Sequence, residues 1–164
     1  MIDPLMVTAL NEQVNAELWS GYLYLSMSYD MDDKGFPGIA GWFAVQAHEE
    51  FEHATRIAKY IVSRDAKVLM KPIAEVRQEW KSPVDAFEDT LMHEKIVTGL
   101  IHKLMDKAIE YKDYETQNML KWFIDEQIEE EEIPRQLLQT LKVIENYPGA
   151  MYMFDKKLGE RGSD

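Results

Sequence analysis

Read in steps of four and three residues, the chain carries four long stripes. The first is Leu10, Val14, Glu17, Gly21, Tyr24 and Ser28, and the second is Ile39, Phe43, Gln46, Glu50, His53, Ile57 and Tyr60. The third is Phe87, Leu91, Glu94, Thr98, Ile101 and Met105, and the fourth is Thr116, Leu120, Phe123, Gln127, Glu130, Pro134, Leu137 and Leu141. Such steps follow one face of a helix, and none of the segments shows the alternation of a strand. Helices are therefore expected over about 4–31, 37–64, 83–111 and 114–146. A short fifth is expected over about 149–158, with Met151, Phe154 and Leu158 as its stripe. Glycine and proline fall at the joints: Asp32-Asp33-Lys34-Gly35-Phe36-Pro37-Gly38, an irregular stretch from about Arg64 to Ser82, and Tyr147-Pro148-Gly149. Ser82-Pro83, with Asp85 three residues after the serine, joins an N-cap to a first-turn proline. Pro134 lies inside the fourth segment. There it removes a hydrogen bond at a cost of ~3 kcal/mol, which predicts a kink one turn beyond Glu130.

The seams are apolar or small near their ends and polar in the middle. Glu17, Glu50, Glu94 and Gln127 sit near the centres of their segments, with His53 and Glu130 one turn further on. Glu17 and Glu50 are 33 residues apart, and so are Glu94 and Gln127. Short joints make antiparallel neighbours, so two hairpins would each bring their polar groups to one level. The middle connection differs. A helix of ~28 residues is ~42 Å long, and residues 64–82, extended at ~3.3 Å each, cover more than that. The stretch can run the length of the bundle and leave the second and third helices parallel. The pattern predicts an all-α four-helix bundle with one long crossover and a short C-terminal helix, a single domain over 1–164.

Composition narrows the chemistry. The 164 residues include 30 Asp+Glu against 18 Lys+Arg, a net charge of −12, and no Cys. Without cysteine there is no disulfide framework, thiolate metal site, iron–sulfur cluster or cysteine nucleophile. The acidic balance argues against a nucleic-acid surface and favours cations as partners. No run approaches the ~20 apolar residues that cross a membrane. Met1-Ile2-Asp3-Pro4 lacks the positive and apolar regions of a signal peptide, so a cytoplasmic location is expected.

Buried carboxylates neutralise or find a partner. No Lys or Arg occupies an inward position on the four stripes, so the expected partner is a metal. Glu50-x-x-His53 offers an oxygen and a nitrogen donor one turn apart on one helix face. A carboxylate-rich site with a single imidazole suits Fe, Mn or Zn. Several shared carboxylates point to two metals rather than one.

The ferritin-like di-iron pattern takes a Glu from each of two helices and Glu-x-x-His from each of the other two. Here Glu17, Glu50-x-x-His53 and Glu94 match, and Gln127-x-x-Glu130 stands in place of the second Glu-x-x-His. Further motifs are Asn15-Ala16-Glu17-Leu18-Trp19-Ser20, Tyr22-Leu23-Tyr24-Leu25-Ser26-Met27 and Glu49-Glu50-Phe51-Glu52-His53-Ala54. His93-Glu94 and Trp122-Phe123-Ile124-Asp125-Glu126-Gln127-Ile128-Glu129-Glu130-Glu131 complete the set. Together they resemble the non-haem ferritins of bacteria and archaea along nearly the whole chain. Bacterioferritins and rubrerythrins carry the second Glu-x-x-His that is missing here. Hemerythrin-like sites need more inward histidines.

The resemblance implies an iron-storage protein with ferroxidase activity. Such a protein oxidises Fe(II) with dioxygen or hydrogen peroxide and deposits ferric mineral inside a homo-oligomeric cage, a 24-mer. It implies that Glu17, Glu50 and His53 bind one iron, and that Glu50 bridges to a second iron held by Glu94, with Glu130 contributing and Gln127 nearby. Glu49, Glu126 and Glu129, with Glu130, would hold a third. Tyr24 would hydrogen-bond near the pair and supply an electron; Trp122 is expected to pack beside the site, with a redox role as the alternative. His48, Glu49 and Glu52 would face the storage cavity, and the fifth helix would pack at the four-fold axes. No haem is expected. The same ligands would also serve a di-iron oxidase without storage.

Overall fold

In the computed structural model, which describes residues 2–161, those residues form five helices and no strand: α1 (Pro4–Asp33), α2 (Pro37–Ser63), α3 (Pro83–Glu110), α4 (Tyr114–Ile144) and α5 (Pro148–Leu158). Their ends follow from local chemistry. Asp3 caps α1 by accepting from the Leu5 amide at 2.8 Å, Ser82 caps α3 from the Asp85 amide at 3.3 Å, and Asp113 caps α4 from the Thr116 amide at 3.1 Å. Each cap satisfies a donor that the first helical turn leaves unpaired. The tight joint between α3 and α4 turns at Lys112, which takes the left-handed conformation at φ 53°. The α1–α2 joint turns at Gly35, φ 83°, where glycine meets no Cβ penalty. Pro134, where a kink is expected, lies inside α4, which is one element from Tyr114 to Ile144.

α1 and α2 form one antiparallel hairpin and α3 and α4 the other, while residues 64–82 carry the chain back along α1. Side chains of α1 hold that crossover by its backbone. Asn11 donates to Lys67 O (3.1 Å) and accepts from the Leu69 amide (2.6 Å). Asn15 donates to Pro72 O (3.3 Å), Trp19 Nε1 to Glu75 O (3.4 Å) and Ser26 to Arg77 O (2.8 Å). Asp30 accepts from the Trp80 amide at 3.0 Å. An extended segment outside any sheet has no ladder partner, so these side chains supply its hydrogen bonds. Trp80, fully buried, anchors the far end and donates its indole N–H to Asp89 at 2.7 Å. The crossover thus ascends parallel to α1 and leaves α3 parallel to α2.

The core has two parts. Met27, Met31, Phe43, Trp80, Phe87 and Leu141 belong to one apolar cluster, and Met6, Leu10, Ile57, Ile61, Ile101 and Phe123 to the other. On each of the four long helices one residue of each cluster lies on either side of the polar position: Val14 and Tyr24 about Glu17, Ala47 and Ala54 about Glu50, Phe87 and Val97 about Glu94, and Phe123 and Leu138 about Gln127 and Glu130. Each large apolar side chain in these clusters stabilises the fold by roughly 1.5–3 kcal/mol. The polar layer between them interrupts that gain and needs its own account.

α5 is seated by an unusual cap. α2 begins without a capping side chain of its own at Phe36. Asp155, from α5, takes that role, accepting from the Gly38 amide at 3.1 Å and the Ile39 amide at 2.8 Å. The approach is so close that a Cβ at Gly38 would lie 1.7 Å from the Asp155 carbonyl oxygen. Asp155→Ala is expected to cost about 0.5–2 kcal/mol by removing the cap. Gly38→Ala, which forces α5 off its seat, is expected to cost about 1–3 kcal/mol. Chemical denaturation reads both, and an unchanged midpoint in Gly38→Ala would show that α5 is not held there.

Candidate metal centre

The four long helices bring their polar residues to one level. Glu17 from α1, Glu50 and His53 from α2, Glu94 from α3, and Gln127 and Glu130 from α4 are all buried. Ligand atoms of Glu17, Glu50 and His53 lie within 4.8 Å of one another, and so do those of Glu50, Glu94 and Glu130. Glu50 belongs to both clusters. A third convergence joins His53, Glu126 and Glu130.

Hydrogen bonds orient the carboxylates. Gln13 donates to Glu17 at 2.7 Å, and Gln46 donates to Glu130. Glu94 accepts from the Tyr24 hydroxyl and, at 3.2 Å, from the Gln127 amide. Gln127 also lies 3.1 Å from Thr98 Oγ1, whose hydroxyl donates to Glu131 at 2.7 Å. With its amide nitrogen turned to Glu94 and Thr98, Gln127 is a positioning group in this arrangement. His53 Nδ1 stands 3.3 Å from Glu50, and its Nε2 is 3.9 Å from Glu126.

Charge sets the demand on the layer. Burial, then the Glu17, Glu94 and Glu130 carboxylates, pushes Glu50 well above the usual carboxylate range. Burial and then Glu94 do the same to Glu130, against the pull of the Gln46 hydrogen bond. Glu94 is raised by burial to about 7, opposed by the hydrogen bonds from Tyr24 and Gln127. Burial, then Glu94 and Glu50, raises Tyr24 well above its ordinary value, so it stays a neutral phenol and donates its proton to Glu94. No Lys or Arg is buried among the described residues. His93, beside Glu94, adds no positive charge, because burial lowers it to about 4. Carboxylates desolvated this way hold protons or a cation.

The remaining predicted residues are less convergent. Glu126 is half-buried and raised chiefly by burial. Glu129 is exposed, and Glu49 is paired with Arg161 at 2.6 Å. His48 and Glu52, both exposed, lie 3.3 Å apart on the outer side of α2. Trp122 meets His53 edge-on, with ring centres 5.3 Å apart, and the Arg56 guanidinium lies 4.0 Å from the Trp122 ring centre.

Two supporting residues, Gln13 and Arg161, were missed in the sequence, and Gln46, already on the second stripe, was given no role there. Gln46 reaches across to Glu130 on α4, whereas Gln13 stands four residues before the glutamate that it meets, Glu17. That one-turn spacing is a usable signal for an amide buried beside a carboxylate. Arg161 lies beyond the last helix, where no periodicity gives it an address.

A four-helix bundle whose central layer is built from carboxylates and one histidine has the architecture of the ferritin-like carboxylate proteins. A family model described as Ferritin, ferritin-like domain, matches residues 7–144. The chain is 37% identical over 161 residues to a bacterial non-heme ferritin of Bacteroides fragilis, covering 98% of this chain and all of that protein. A bacterial non-heme ferritin of Campylobacter jejuni is 33% identical over 156 residues, covering 95% of this chain and 93% of that one. Among solved structures, an open-pore ferritin from the hyperthermophilic archaeon Archaeoglobus fulgidus superposes with a TM-score of 0.97 at 39% identity, covering 98% of this chain and 99% of that one. The chain belongs to the ferritin family.

The raised carboxylates fix a sign. Their folded values lie above their unfolded values, so above the ordinary carboxylate range the folded chain binds more protons than the unfolded one. The metal-free protein therefore loses stability as pH rises through about 7, the value to which Glu94 is raised. A divalent cation must displace these protons. Zn(II), which is redox-inert, is expected to release protons on binding and to bind more weakly as pH falls below about 7. Calorimetric titration in two buffers of different ionisation heat counts the protons, and zero release would show the layer already ionised.

Proposed function

We propose that this ferritin takes Fe(II) as substrate, oxidises it in pairs within the buried layer, and stores the ferric product inside a cage of identical subunits. The observation that carries the reading is the double membership of Glu50, in one cluster with Glu17 and His53 and in another with Glu94 and Glu130. Two cations held in these clusters would be neighbours joined by one carboxylate. Two adjacent Fe(II) ions give one electron each, so dioxygen and two protons become hydrogen peroxide without a separate superoxide step. With peroxide as the oxidant, the same two electrons and two protons yield two waters. The carboxylates are hard anionic donors that favour Fe(III) over Fe(II), which helps drive the oxidation.

The two positions differ in donors. One has the His53 imidazole beside Glu17 and Glu50, and the other is all oxygen, from Glu50, Glu94 and Glu130. Gln127 steers Glu94, and Tyr24 holds its other oxygen and is placed to give up a proton and an electron together. The approach of Glu126 to His53 and Glu130 supports a third cation position beside the pair, with Glu49 and Glu129 as its remaining ligands. A single bundle has room for a few ions only. Storage therefore requires an enclosure, and full-length likeness to ferritins supports a 24-subunit cage in the cytoplasm.

Aerobic loading with excess Fe(II) is expected to put far more iron into a cage-sized particle than its ligands can bind, read by iron assay after size-exclusion chromatography. A plateau at the number of ligand sites would leave a di-iron oxidase instead. Glu50→Ala removes the shared ligand and is expected to slow initial oxidation roughly a hundredfold. Tyr24→Phe, which removes the hydrogen bond to Glu94 and the phenol's proton and electron but no ligand, is expected to slow it roughly tenfold while still binding iron. Stopped-flow absorbance separates the two, and wild-type rates in Glu50→Ala would place the chemistry elsewhere.

A further inference from the structure

Arg161 returns from the end of α5 to lie against α2. Its Nη2 donates to Glu49 Oε2 at 2.6 Å, and its Nη1 donates to Gln46 Oε1 at 3.1 Å. The guanidinium also stacks over Trp42, 4.7 Å from the ring centre. Gln46 in turn donates its amide to Glu130. One arginine is thus joined to two carboxylates of the third cation position: Glu49 directly, and Glu130 through Gln46.

The charges around that position explain why a cation belongs there. Glu49 is among the groups whose repulsion raises both Glu126 and Glu130. Among the described residues the convergent cluster is His53, Glu126 and Glu130, without Glu49. The carboxylate that would complete it is instead engaged by Arg161. Lysine could not serve equally, because a single point charge lacks the planar fork that meets two acceptors while lying flat on an aromatic ring.

We propose that Arg161 is a displaceable counter-ion of the third cation position, a guanidinium tethered to the chain that holds Glu49 until a divalent cation takes its place. The proposal rests on the third-position reading above. Binding there is a competition: the entering cation gains Glu49, and Arg161 gives it up while keeping Trp42. The third cation consequently binds last and most weakly, which suits ions that must move on. Side-chain exposure of 26% for Arg161 and 36% for Glu49 keeps the pair partly solvated. Pairs of this kind are modest, so removing the competitor is expected to tighten the third cation about two- to fivefold.

The test is anaerobic Fe(II) binding to the assembled protein, followed by calorimetry and equilibrium dialysis. The unsubstituted protein, Arg161→Gln, Arg161→Lys, Glu49→Gln and the Arg161→Gln/Glu49→Gln double variant are compared, with size-exclusion chromatography verifying assembly. Three Fe(II) per chain are expected, with the first two constants unchanged throughout. The third should tighten about two- to fivefold in Arg161→Gln, lie between in Arg161→Lys, and be equally weak or absent in Glu49→Gln and the double variant. A third ion that appears only in Arg161→Gln would also support the proposal. A third constant unchanged in Arg161→Gln would overturn it and leave Arg161 as a staple for α5. Two ions per chain in every protein would overturn the third-position reading and the proposal with it. Should Arg161→Gln fail to assemble, Arg161→Lys carries the comparison: a third ion as weak as in the parent would then overturn the proposal.

Discussion

Everything in this bundle is arranged around the cost of taking carboxylates out of water. Glu17, Glu50, Glu94 and Glu130 are buried at one level with no buried Lys or Arg among the described residues. Such a layer is tolerable only as a proton store or a cation site. The fold supports both states. Hydrogen bonds from Gln13, Gln46, Gln127 and Tyr24 come from groups that are neutral in every state of the layer, so they orient the carboxylates without cancelling their charge. A lysine or arginine in their place would satisfy the carboxylates and abolish the demand for a metal.

The same layer keeps the helices in register. With an apolar cluster above and another below, sliding one helix by a turn would drive a carboxylate into hydrocarbon and leave a gap in the polar layer. The polar level therefore specifies alignment, while the two clusters supply most of the stabilisation. Arg161 extends the logic to the margin of the site, where partial exposure makes a tethered positive charge cheap to move.

Much of this was legible in the sequence because helical periodicity defines an interior. Once the apolar stripes are drawn, Glu17, Glu50, His53, Glu94, Gln127 and Glu130 stand out as residues on the wrong side. Four helices interrupted at matching depth leave little freedom in their packing. What lay hidden did not depend on periodicity. Asp155 is buried because it caps another helix, and a stripe drawn through Met151, Phe154 and Leu158 passes it by. The crossover was visible only as a length. That Asn11, Asn15, Trp19, Ser26 and Asp30 hold its backbone could not be read, since a carbonyl group has no residue identity to recognise.

Those side chains also decide how the crossover can vary. From Leu69 to Trp80 it advances in step with α1, each contact further along one matched by a contact further along the other. Surface loops ordinarily absorb insertions and deletions because nothing along them is counted. This one is counted. A residue added or removed inside it would shift every later carbonyl and amide off its α1 partner and pull on Trp80 at the far end. Changes of chain length should accordingly be accommodated at its two ends, and its middle should behave like a strand whose sheet is a helix.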